Sequence, residues 1–133
     1  MSSPEIFHWP VRVYWEDTDG GGVVYYANYL RFLERCRTEW LRSRGLSQQS
    51  LSLEQGIQFM VLNVNVDYRA PARLDDALVV TCQAVPETRT TARFAQRIFR
   101  DRAEPLLLVE ATVRIVCVDA RTLRPKRIAE YIP

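Results

Sequence analysis

The sequence predicts an α+β fold in which one long helix lies against a curved antiparallel sheet of about five strands. Three observations lead to this expectation. One apolar stripe at helical spacing runs through residues 23–45, period-two alternation recurs on both sides of it, and no other stretch shows comparable helical periodicity.

A chain of 133 residues supports one domain, 1–133, built on one core. Its 47% hydrophobic and 26% charged residues are ordinary for a globular protein. The net charge of +2 gives no concentrated basic face, so nucleic acid is not an expected partner. Cys36, Cys82 and Cys117 are widely spaced and odd in number, which fits neither a disulfide framework nor a zinc site. Three buried thiols in a reducing compartment are expected instead. The N-terminal segment shows no basic stretch followed by an apolar one, so no signal peptide is expected. The purest aliphatic stretch, 106–109, is far too short to span a bilayer. The expectation is a cytoplasmic protein without membrane insertion.

The first strand is predicted at residues 11–16, where Val11, Val13 and Trp15 alternate with Arg12, Tyr14 and Glu16. An acidic, glycine-rich loop, 17–22, then breaks the strand. In the helix, Tyr25, Tyr29, Phe32, Leu33, Cys36 and Trp40 form the stripe, and the Arg35–Glu39 spacing allows an ion pair. Gly45 is a natural stop. A short helical piece is predicted at 48–55. Beyond Gly56, Ile57, Phe59 and Val61 hold one strand phase and Leu62, Val64, Val66 and Tyr68 the other, a slip that predicts a bulge. Strands follow at 77–85 and 91–99, and Leu107 to Cys117 alternate most cleanly of all. The order suggests an antiparallel meander after the helix.

Chemistry concentrates in Glu16-Asp-Thr-Asp-Gly-Gly-Gly-Val-Val-Tyr-Tyr-Ala-Asn-Tyr29, a carboxylate in a glycine turn that leads straight into a helix. The first turn of a helix offers unpaired N–H groups and a partial positive charge, which suit an oxyanion. A nearby carboxylate can attack a carbonyl or activate water. Asp17 or Asp19 could equally cap the helix or shape the turn. A calcium loop fits poorly, because its fifth position is Gly21 and its twelfth Asn28. No Gly-Lys-Ser/Thr follows to make a phosphate loop, and any histidine triad rests on His8 alone. No metal or cofactor is required.

The stretch resembles the hotdog-fold thioesterases of the 4-hydroxybenzoyl-CoA type, and is most similar to the acyl-CoA thioesterase branch associated with the tol-pal system. The likeness starts at Val11-Arg-Val-Tyr-Trp-Glu-Asp-Thr-Asp19 and runs through Tyr29 into Phe32-Leu-Glu-Arg35. It continues at Val66-Asp-Tyr-Arg-Ala-Pro-Ala-Arg-Leu-Asp-Asp76 and Phe94-Ala-Gln-Arg-Ile98. The resemblance implies a hotdog fold, a homodimer that pairs two sheets into one, dimers associating into a tetramer, and active sites at the subunit interface. It also implies that Asp19 is the essential carboxylate and that the Tyr26 N–H polarises the thioester carbonyl. Gly22, Val23, Tyr25 and Tyr29 are then the companion substrate-binding candidates. The related branch usually has His where this chain has Tyr26, so aromatic and short aliphatic acyl groups both fit. Cations for the CoA phosphates are sought at Arg89, Arg93, Arg124 and Lys126, with Arg69 and Arg73 as additional candidates. The same cations could dock an acyl carrier protein. A non-catalytic module that binds acyl-CoA is the reading from another class, and an intact Asp19 beside an open glycine turn argues against it.

Overall fold

A computed structural model describes residues 5–133; residues 1–4, part of the segment searched for a signal peptide, lie outside it. The elements are β1 (Phe7–Arg12), a 3-10 turn (Trp15–Asp17), a second (Tyr26–Asn28), α1 (Tyr29–Ser43), α2 (Gln48–Ser50), a wide π-type turn (Leu51–Gln55), β2 (Ile57–Tyr68), β3 (Ala77–Pro86), β4 (Thr91–Arg100) and β5 (Leu106–Asp119). The five strands form one antiparallel sheet in the order β1-β3-β4-β5-β2. The α+β expectation holds.

Helix α1 buries Tyr29, Phe32, Leu33, Cys36, Trp40 and Leu41 against the sheet. The facing strands present Leu78, Val80, Cys82, Phe94, Ile98, Val109 and Val113, all at most 2% exposed. Each such side chain contributes about 1.5–3 kcal/mol on leaving water, so this contact is the main source of stability. One polar group crosses it. Gln96, 1% exposed, donates to the Leu33 and Thr81 carbonyls and accepts from Arg37, so its amide is fully employed. The helix ends where Gly45 takes φ +80°: Leu46 N–H reaches the Leu41 carbonyl and Gly45 N–H the Arg42 carbonyl, a Schellman closure.

Several elements differ from the sequence reading. The first strand lies at Phe7–Arg12, not 11–16. The alternation continues past Arg12, but the chain turns: the buried Asp17 carboxylate accepts the Tyr14 N–H at 2.8 Å and leaves Trp15 79% exposed. Helix α1 begins at Tyr29 and not at 23, because Val23 and Val24 are extended and bridge Arg73 and Thr18. Tyr25 therefore leaves the stripe and is exposed. Glu39 pairs with Arg42 instead of Arg35. The meander covers only β3, β4 and β5; β2 lies beside β5, so the connection at 69–76 crosses the end of the sheet. The slip at Val61–Leu62 is real, with the β2–β5 register shifting between Val61 and Asn63.

All three cysteines are free and buried. A hydrogen bond with Cys82 and then burial push the Cys36 thiol far up, and burial raises that of Cys117 to about 11. The native protein is therefore expected to react negligibly with a disulfide reagent at neutral pH, and all three thiols to react once it is denatured. Rapid titration of any thiol in the folded protein would contradict this packing.

Candidate active site

The acidic turn is a tight loop closed across its neck. Asp19 N–H donates to the Val23 carbonyl at 2.9 Å, and Thr18 bridges Val24. Gly22 sits at φ +80°, a conformation that a residue with Cβ resists. The loop is then stitched to the connection between β2 and β3. Val24 N–H donates to the Ala72 carbonyl at 2.9 Å, Leu74 N–H to the Gly22 carbonyl at 3.1 Å, and Val23 bridges Arg73.

The two aspartates have different surroundings. Asp17 is 6% exposed; its carboxylate holds the Tyr14 N–H, and its carbonyl accepts from Tyr25 N–H at 3.0 Å and the Asn28 side chain at 2.9 Å. It builds the turn. Asp19 is exposed, and its Oδ1 accepts the Gly21 N–H at 2.7 Å, while Oδ2 has no protein partner among the described residues. A Cβ on Gly21 would come within 3.2 Å of Asp19 Oδ1, so the glycine leaves room for that carboxylate.

The helix start lies beyond this loop. Tyr26 opens the 3-10 turn that runs into α1, so its N–H has no preceding helical turn to supply an acceptor. Aromatic rings gather here. Those of Tyr25 and Tyr26 lie 4.8 Å apart, Tyr68 meets Tyr26 edge-on at 6.4 Å, and Tyr29 lies 5.5 Å from Tyr68. A hydrogen bond with Tyr26 pushes the Tyr25 phenol up, and burial does the same for Tyr29 and Tyr68. These phenols stay neutral near pH 7, as hydrogen-bonding groups rather than bases. Tyr29 is buried, its hydroxyl accepting the Ala72 N–H at 2.9 Å.

The structure thus brings Asp19, Gly22, Val23, Tyr25, Tyr26 and Tyr29 into one local unit. It does not bring the cation candidates to it within one chain. Arg89 and Arg93 start the β4 side of the sheet, and Arg124 and Lys126 run beside them, with the Ile128 N–H on the Arg89 carbonyl and Lys126 3.7 Å from Asp119. Arg89, Arg124 and Lys126 sit at the Ile57 end of β2 and Arg93 midway, opposite Arg114 and level with Asn63, whereas the loop that carries Asp19 is stitched to the connection that follows Tyr68. Arg69 and Arg73 do lie on the stitched connection, and Arg69 is 3.8 Å from Glu110. His8 lies on β1 opposite Thr81, and the cysteines are buried, so no histidine triad forms. Among the described residues, no group of three or more His, Cys, Asp or Glu could hold a metal. A cleft of about 620 Å³ lined by Phe7, His8, Trp40 and Arg44 lies by the C-terminal end of α1 and takes no part in this site. Sequence reasoning missed Asn28 and Tyr68, whose side chains reach main-chain oxygens eleven and 42 residues away.

Residues 21–105 match the model of the thioesterase superfamily. The chain is 48% identical to the acyl-CoA thioester hydrolase YbgC of Escherichia coli O6:H1 over 127 residues, covering 96% of this chain and 92% of that protein. It is 46% identical to the acyl-CoA thioesterase YbgC of Haemophilus influenzae, covering 90% and 85%. Among solved structures, Slr0204, a 1,4-dihydroxy-2-naphthoyl-CoA thioesterase from Synechocystis, superposes with a TM-score of 0.87 at 25% identity, over 93% of this chain and 90% of that one. The chain belongs to the thioesterase superfamily and has the hotdog fold of these relatives.

The two aspartates are expected to separate in stability measurements. Asp17→Ala strands a buried N–H and is expected to cost about 1–3 kcal/mol in denaturant unfolding, whereas Asp19→Ala, on an exposed loop, is expected to change stability by less than about 0.5 kcal/mol. Equal losses would contradict this division.

Proposed function

We propose that the chain hydrolyses acyl-CoA thioesters to the free acid and CoA, with Asp19 as nucleophile or general base. The observation that carries this reading is an exposed carboxylate, one oxygen held by the Gly21 N–H and the other open, in a glycine turn that feeds a helix start. Oδ2 of Asp19 attacks the thioester carbonyl directly or deprotonates the water that does so. The oxyanion that develops is stabilised by the Tyr26 N–H and the positive end of the helix. Collapse of the tetrahedral intermediate breaks the C–S bond and releases CoA as the thiolate. The water route gives the free acid at once, whereas direct attack leaves an Asp19–acyl anhydride whose C–O bond a water then breaks, giving the free acid and restoring the carboxylate. Gly22 and Val23 shape the approach, and the exposed rings of Tyr25 and Tyr26, backed by the buried Tyr29, suit a compact acyl group, short aliphatic or aromatic.

The working unit in this reading is a homodimer paired through β2. That edge strand exposes Met60, Val61, Leu62, Val64 and Tyr68, each at least 40% accessible. A twofold antiparallel pairing of β2 with its own copy lays the Ile57 end of one strand toward the Tyr68 end of the other. Arg89, Arg124 and Lys126 of one protomer would then approach the Asp19 site of its partner, where CoA phosphates need cations, with Arg93 nearer the middle of the paired strands. Three free buried cysteines agree with a reducing compartment such as the cytoplasm. No helix among the described residues is long and apolar enough to cross a membrane.

Thiol release from a panel of acyl-CoAs, short to long aliphatic plus benzoyl and hydroxybenzoyl, tests the chemistry. Asp19→Asn is expected to lower turnover of the preferred substrate at least about a hundredfold, with unfolding unchanged. Full activity in that variant, or binding without turnover across the whole panel for the wild type, would falsify the assignment. Sedimentation tests the assembly: the wild type is expected to run as a dimer or a multiple of one, and Val64→Asp to run as a monomer with little activity. A wild type that is monomeric and active would remove the interface from the site.

A further inference from the structure

We propose that Tyr68 is a positioning residue that aims the Tyr26 N–H at the thioester oxygen, an inference that rests on the reading of Asp19 and Tyr26 above. Tyr68 is the last residue of β2, and its hydroxyl donates to the Tyr26 carbonyl oxygen at 3.0 Å. Its ring packs edge-on against that of Tyr26 and beside that of Tyr29. The peptide bearing the Tyr26 N–H is already held on its other side: the Tyr25 carbonyl accepts the Asn28 N–H at 2.8 Å, and Tyr25 N–H donates to Asp17 at 3.0 Å. Rotation about Tyr26 itself is the freedom that remains. By gripping the next carbonyl, the phenol holds Tyr26 in the turn from which the Asn28 N–H reaches the Tyr25 carbonyl, and so steadies the plane that carries the Tyr26 N–H.

The strand end that supplies the phenol is well anchored. Arg69 and Ala70 N–H both donate to the Leu108 carbonyl, at 2.8 and 3.2 Å. A phenol is needed because the acceptor is a carbonyl, and burial with the Tyr26 hydroxyl nearby keeps Tyr68 protonated and able to donate. Tyr29 makes the reciprocal link from helix to connection, accepting the Ala72 N–H. Of the two phenols Tyr29 is 3% exposed and belongs to the core, whereas Tyr68, at the end of the edge proposed as the partner contact, is 48% exposed in the single chain, so its hydroxyl can be removed without opening the fold. An oxyanion donor acts through its direction, and small misplacements at a reacting centre are costly in rate.

The test compares wild type, Tyr68→Phe and Asp19→Asn on the acyl-CoA that the wild type hydrolyses fastest. Tyr68→Phe keeps the ring and removes only the hydrogen bond. It is expected to lower kcat about tenfold with KM within about twofold, while the melting midpoint moves by less than about 2 °C. An unchanged kcat overturns the proposal. So does a loss that follows the melting midpoint and is recovered by assaying at lower temperature, since that marks a purely structural contact. If Asp19→Asn is inactive while Tyr68→Phe is normal, the positioning role alone falls. If Asp19→Asn is fully active, the site reading falls and this inference with it.

Discussion

The short ladder between residues 22–24 and 72–74 is the constraint on which the candidate site depends. A run of three glycines has the largest conformational freedom a chain can offer, and ordering each residue costs about 1–2 kcal/mol. A net hydrogen bond returns only about 0.5–1.5 kcal/mol. The bonds from Val24 to Ala72 and from Leu74 to Gly22 therefore hold the turn only because the anchors beneath it are buried, Val24 at 4% exposure and Ala72 at 0%. The crossing of the connection over the sheet end, which places β2 beside β5, is what brings Ala72 to that position. Topology and site are one arrangement.

Two carboxylates two residues apart have opposite surroundings because of where this ladder puts them. Asp17 is inside: its Oδ2 accepts from the Tyr14 N–H, its carbonyl from Tyr25 N–H and the Asn28 amide, and its own N–H donates to the Tyr14 carbonyl. A buried acceptor with several donors is a structural element and gains nothing by moving. Asp19 is outside, steadied through one oxygen and free at the other. That division is the common requirement of a reactive carboxylate, fixed in place yet accessible.

The architecture was legible because its signals are periodic and local. The α1 stripe, the bulge near Leu62 and the alternation of β5 were all read from spacing, and the Asp19-to-Tyr29 segment was found as a motif. The errors have physical causes. Alternation through Trp15 suggested a strand, since spacing cannot register that the Asp17 side chain ends it three residues earlier. Spacing starts α1 too early because Val23 and Val24 continue the apolar pattern while pairing with Arg73 and Thr18. The distinction between Asp17 and Asp19 depends on burial, and the part of Tyr68 on a partner 42 residues away, neither of which spacing encodes.

The two edges of the sheet are unequal, and this bears on the proposed assembly. β1 carries Pro10, which cannot donate to a neighbouring strand, together with His8 and Arg12 on its outward face. Such an edge resists further pairing. β2, twelve residues long, has no proline and only Asp67 as a charge, and it leaves apolar side chains exposed on both faces. A chain with one guarded and one open edge can add a copy of itself only at the open one. Pairing like edge with like edge gives a closed twofold pair and ends there, whereas two open edges would let the sheet grow without limit. The same asymmetry would place the distant basic cluster beside a partner's Asp19, so an edge left unguarded at one side of the sheet is the simplest way for a chain this small to assemble a complete site.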